Sequence, residues 1–163
     1  MANYIQPYAF NIVLNSLRAV PPGVATNDSY YNFNWTNIPP GKYEMEFSCL
    51  CQNNGDYVAN DVPQLFLTLG TVPSVYECSV DNPSGLISTF IGNLRAQTHA
   101  AGQVNFVSSI HDNPPVFFNN LPSSGPIRLQ VFEQDFTTPF LTQTGGLELA
   151  EYVIVLRFRK VAD

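Results

Sequence analysis

Apolar and polar side chains alternate with a period of two along most of the chain, the pattern of strands with one buried and one wet face. It is sharpest over residues 42–51, where Tyr43, Met45, Phe47, Cys49 and Cys51 share one face and Lys42, Glu44, Glu46 and Ser48 the other. Pro39-Pro40-Gly41 before this segment and Asn53-Asn54-Gly55-Asp56 after it supply turns. The same rule predicts a strand from residue 8 to about 17, with Tyr8, Phe10, Ile12 and Leu14 opposite Asn11 and Asn15. Residues 30–35 set Tyr31, Phe33 and Trp35 against Asn32 and Asn34. Further strands are predicted at 64–69, 75–80, 86–94, 103–110, 127–133 and 151–161, and the apolar run at 86–94 predicts cover on both faces.

About nine strands fenced by Pro, Gly, Asn and Asp clusters predict an all-β fold. The one helical suspect, residues 147–155, ends in Val153-Ile154-Val155, a β-branched run that favours strand. The expected architecture is a single jelly-roll β-sandwich of two antiparallel sheets, with an N-terminal arm at residues 1–7 and one domain at 8–163. An immunoglobulin-type sandwich ranks second, because Trp35 precedes all three cysteines and the Cys…Trp…Cys order is missing.

Composition narrows the function. The 163 residues carry only 12% charged side chains, 13% aromatics, 13 Pro, 10 Gly and 16 Asn, which excludes a disordered chain or a long helix. A net charge of -6 argues against nucleic acid as partner, since phosphate binding needs clustered Lys and Arg. No run of 18 apolar residues predicts membrane insertion, and the first residues lack a basic, then apolar, secretory leader. Synthesis in the cytoplasm is therefore expected, and Cys49, Cys51 and Cys78 are too few for a disulfide framework. Sequons stand at Asn27-Asp28-Ser29 and Asn34-Trp35-Thr36, but glycosylation is not expected without a leader.

Candidate chemistry is sparse. Cys49 and Cys51 point to one strand face and Cys78 offers a third sulfur, yet a structural zinc site wants four ligands, and both continue an apolar stripe. Buried thiols and no metal are expected. His99 and His111 flank a strand and lack the close carboxylate of a cupin-like metal set. Glu44 and Glu46 sit roughly 7 Å apart along one face, near glycosidase spacing, but share it with Lys42 and Ser48, which reads as solvated surface. Gly145-Gly146 is a turn candidate. No nucleophile elbow, phosphate loop or dinucleotide fingerprint occurs, so neither catalytic residues nor a cofactor is expected. Tyr30, Tyr31, Phe33 and Trp35 are dense enough for a sugar platform, with core packing the favoured alternative.

Several segments in series resemble a family. These are Phe10-Asn11-Ile12-Val13-Leu14-Asn15-Ser16, Tyr31-Asn32-Phe33-Asn34-Trp35 and Pro40-Gly41-Lys42-Tyr43-Glu44-Met45-Glu46-Phe47-Ser48. Asn113-Pro114-Pro115-Val116-Phe117, Ile127-Arg128-Leu129-Gln130-Val131, a turn near Thr138-Pro139-Phe140 and the closing strand follow in order. The series resembles the small single jelly-roll minor capsid proteins of large double-stranded DNA viruses, the algal-virus and giant-virus group. That resemblance implies a structural virion protein that cements or supports the major capsid shell. Its implied partners are the major capsid protein, other minor capsid proteins and further copies of itself. A penton protein of the same shell and a lectin-like carbohydrate-binding module are the alternatives. No active-site residues transfer, since the family has none. The expected contacts are Tyr4 and Ile5 of the arm, apolar and without a local partner, and the basic trio Arg157, Arg159 and Lys160.

Overall fold

The computed structural model describes residues 8–18, 28–51, 64–69, 76–77, 89–98, 104–132 and 152–161. Within them lie β1 (Ala9–Asn15), β2 (Asp28–Tyr31), β3 (Tyr43–Cys51), β4 (Gln64–Leu69), β5 (Tyr76–Glu77) and β6 (Thr89–Phe90). β7 (Gly92–Thr98), β8 (Val104–Ser108), β9 (Val116–Phe118), β10 (Ile127–Phe132) and β11 (Tyr152–Lys160) follow. A single 3-10 turn, Ser16–Arg18, is the one helical element among the described residues. The fold is all-β, with every strand pair antiparallel.

The pairings are nested. β1 pairs with β11, β2 with β10, β3 with β8 and β9, and β4 with β7. Earliest thus meets latest at each level, as in one long antiparallel ribbon. Lateral pairs β11–β3, β10–β4 and β7–β8 then join the levels into the order β1-β11-β3-β8-β7-β4-β10-β2. β5 and β6 form a separate two-stranded ribbon. One end of the path, β2, meets β11 across the interior. Tyr31 of β2 and Tyr152 of β11 share a buried hydroxyl–hydroxyl hydrogen bond, and the Trp35 ring stands edge-on to Phe158 with centroids 6.3 Å apart.

Register carries one apolar face from strand to strand. Phe10, Phe158 and Met45 form one row, Ile12, Leu156 and Phe47 the next, and Leu14, Ile154 and Cys49 a third. Phe10 stacks on Phe158 at 4.8 Å. Tyr43, Met45, Phe47, Cys49, Leu129, Ile154 and Leu156 are all buried in one cluster, as their alternation predicts. The side chain of Val131, expected with them, lies outside the described ones. Each such large side chain contributes about 1.5–3 kcal/mol through burial.

Local polar groups account for the departures from pattern. The strand expected at 30–35 begins earlier and ends at Tyr31, because Asn34 Oδ1 accepts from both Thr36 N and Thr36 Oγ1, at 3.0 and 2.6 Å. The Ile38 N–H then donates to Trp35 O, closing a turn. Burial still alternates through this turn: Tyr31 and Trp35 are inside, Phe33 packs against them, and Asn32 and Asn34 are exposed. The first strand stops at Asn15, where Ser16 turns inward to accept the Tyr152 N–H. The run at 86–94 is broken at Ile91, and its second half continues to Thr98. β9 was not expected, because three residues between Pro114-Pro115 and Asn119-Asn120 are too few to show a period. Of the helical suspect, residues 152–155 are strand and 147–151 lie outside the described residues. The turn at 53–56 and the arm, residues 1–7, also lie outside them.

Candidate interaction face

β3 and β11 are the longest strands and pair along their whole length, from Tyr152 opposite Cys51 to Lys160 opposite Tyr43. Their core-facing positions are consumed by packing, so the alternate positions define an outer surface. There the register sets Leu50 against Val153, Ser48 against Val155, Glu46 against Arg157 and Glu44 against Arg159. β1 adds Val13 beside Val155, and β8 adds Val107 beside Leu50. One end of this face is therefore apolar and the other charged.

The apolar end is open. Val13 is 60% exposed, Leu50 49% and Val153 39%. Single exposed aliphatics are ordinary, but a contiguous group on adjacent strands marks a surface suited to contact. At the charged end Arg159 donates to Glu44 in an ion pair, in which the Arg159 side chain is 55% exposed and that of Glu44 13%. Phe117 of β9 stands beside Glu44 in register and is 62% exposed.

The expected contact residues separate. Arg159 is engaged by Glu44 of its own chain, and Arg157 faces Glu46 in register without an ion pair among the described residues. Lys160 turns to the side: its N–H donates to Tyr8 O at 2.8 Å, and its side chain packs over Gly41. A Cβ at Gly41 would sit 2.6 Å from Lys160 Cε, and Gly41 holds a φ of +138°, which favours glycine. Tyr4 and Ile5 lie outside the described residues. Sequence reasoning missed Leu50, Val153 and Val13, although their outward parity was readable from the alternation itself.

The other candidates resolve into packing and surface. Neither Cys49 nor Cys51 is in a disulfide and both are buried; burial pushes the Cys51 thiol up to about 12 and Cys49 well above its ordinary value. Cys78, His99 and Gly145-Gly146 lie outside the described residues, and His111 is an exposed loop residue. Among the described residues no three His, Cys, Asp or Glu side chains converge on a metal-sized site. No described helix is long and apolar enough to cross a membrane. Of the aromatics at 30–35, Tyr31 and Trp35 are buried, and Trp35 Nε1 donates to Gly125 O at 3.1 Å. Tyr30 alone of the group faces out, beneath the Arg128 guanidinium at 5.3 Å. They form no shared platform. A cleft of about 220 Å³ lies between β1 and β2, lined by Ile12, Leu14, Tyr31, Phe33, Ile127 and Arg18 among others.

Comparison with known protein families finds no family that matches this chain, and comparison with curated proteins finds no match either.

Proposed function

We propose that the chain is a single jelly-roll β-sandwich and serves as a minor capsid protein. In this reading it sits in the shell of a large double-stranded DNA virus, made in the host cytoplasm and held there by protein–protein contacts. Its partners are the major capsid protein, other minor capsid proteins and copies of itself; its work is structural rather than catalytic. The observation that carries the reading is the nested pairing, β1 with β11, β2 with β10, β3 with β8 and β4 with β7. A ribbon paired in that order and rolled over one core is the jelly-roll winding, which recurs in viral shells and lectins. The sequence resemblance chooses the shell between these two. The aromatics at 30–35 support the same choice, since Tyr31 and Trp35, the expected sugar platform, are spent on the core. β1 and β2 each pair on one side only among the described residues, and such edges suit an assembly that covers them.

The test is quantitative mass spectrometry of gradient-purified virions of the virus that encodes the chain, paired with a glycan array on the isolated protein. Recovery in particles at a fixed ratio to the major shell protein supports the reading. Absence from particles with selective glycan binding replaces it with the lectin alternative.

A further inference from the structure

The outer face of β3 and β11 has a symmetry property that follows from its register. Leu50 lies beside Val153, Glu46 beside Arg157 and Glu44 beside Arg159, on strands about 4.8 Å apart. A two-fold axis running along the strands, midway between β3 and β11, exchanges the two strand positions and leaves height along the strand unchanged. It therefore lays each outward residue over its own register partner in a second copy. Leu50 meets the other copy's Val153, Glu46 meets its Arg157, and Glu44 meets its Arg159. Every charge finds its opposite and Leu50 an aliphatic partner, with Ser48 meeting the other copy's Val155 between them, which is the self-complementarity that a two-fold interface demands. A lone strand pair carrying cations on both strands would repel its own copy under the same operation.

We infer that this face joins two copies of the chain in a face-to-face dimer, with Leu50 and Val153 as its apolar contact and the Glu46–Arg157 pairs fixing its register. The occupant is a second copy because the face carries both charge signs in matched rows. A partner of one sign would leave one row unmet. Sheets packed face to face stand about 10 Å apart and cross at roughly 30°, so the pairs nearest the middle of the face stay closest. Glu46–Arg157 and Ser48–Val155 are the two middle rows. The inference does not rest on the capsid reading, since it follows from strand register and exposure alone.

The experiment is a charge exchange followed by sedimentation equilibrium on the full chain. Glu46→Arg alone sets two arginines against each other twice across the interface, and Arg157→Glu alone sets two glutamates against each other twice. Each is expected to raise the dimer dissociation constant by about tenfold or more. Mixing the two variants in equal amounts re-forms both opposite-charge contacts, and the mixture is expected to return to within about threefold of wild type. Restoration also shows that both variants are folded. Leu50→Lys is expected to weaken the dimer by a similar factor. A wild-type chain that stays monomeric at its highest soluble concentration overturns the inference, as do single variants that dimerise like wild type or a mixture that fails to recover.

Discussion

The hydroxyl of Tyr31 lies 2.5 Å from the hydroxyl of Tyr152, joining two residues 121 positions apart in the buried interior. The Ser29 side chain bonds to both, so three hydroxyls satisfy one another where β2 faces β11. Burial raises both phenols above their ordinary value, Tyr152 well above it and further by its neighbour Tyr31. This contact fastens β2, at one end of the strand path, to β11 across the core.

Removing one hydroxyl breaks this buried three-hydroxyl network and leaves its neighbours with fewer partners. Tyr31→Phe and Tyr152→Phe are each expected to cost about 1–3 kcal/mol in urea unfolding. The double variant is expected to cost less than the sum, because the Tyr31–Tyr152 bond is lost in each single variant and only once in the double. Additive losses would show that the two hydroxyls do not interact.

Gly92 and Asn113 form the second vulnerable point. A Cβ at Gly92 would sit 2.6 Å from the Phe47 ring and from Asn113 Cγ. Asn113 Oδ1 accepts from Asn93 N at 2.9 Å, and its Nδ2 donates to Asn93 O and Ser108 Oγ. Gly92→Ala is expected to destabilise by about 1–3 kcal/mol through overpacking, and Asn113→Ala by a similar amount through lost buried hydrogen bonds. Thermal unfolding checks both, and wild-type midpoints would contradict the packing described.

The buried thiols set a pH dependence. Cys51 is raised from an ordinary 9.0 to about 12, so above pH 9 the unfolded chain loses a proton that the folded chain keeps. Stability is therefore expected to be intact below pH 9 and to fall between pH 9 and 12, by up to about 1.4 kcal/mol per pH unit for this group. Cys49, raised in the same direction, adds to the fall. In a Cys78→Ser background both thiols are expected to resist alkylation at pH 8 until urea unfolds the chain. Rapid labelling of the native protein would place them at the surface.

β1 begins at Ala9, after residues 1–6. Deleting residues 1–6 is expected to change unfolding free energy by less than about 0.5 kcal/mol while lowering incorporation into particles. Wild-type incorporation at equal expression would remove the arm from the contact set.

Much of this architecture was legible in the sequence because parity decides burial in strands. The stripe Tyr43, Met45, Phe47, Cys49 and Cys51 and its counterpart Tyr152, Ile154, Leu156 and Phe158 are buried as their spacing predicts. The break at Ile91 lies beside Asn93, which Asn113 engages from 20 residues away, and β2 ends before the local Asn34–Thr36 turn; a two-residue period records neither. The interaction face was only half legible. Arg157 and Arg159 show their shared face in sequence, but that β3 would bring Glu46 and Glu44 beside them depends on which strands pair.

If the chain is an integral shell component, the decisive quantity is its ratio to the major shell protein across gradient fractions of purified virions, before and after a high-salt wash. A fixed ratio that follows the particle peak and survives the wash is the expected result. A ratio that drifts across the peak, or falls to zero on washing, would contradict it.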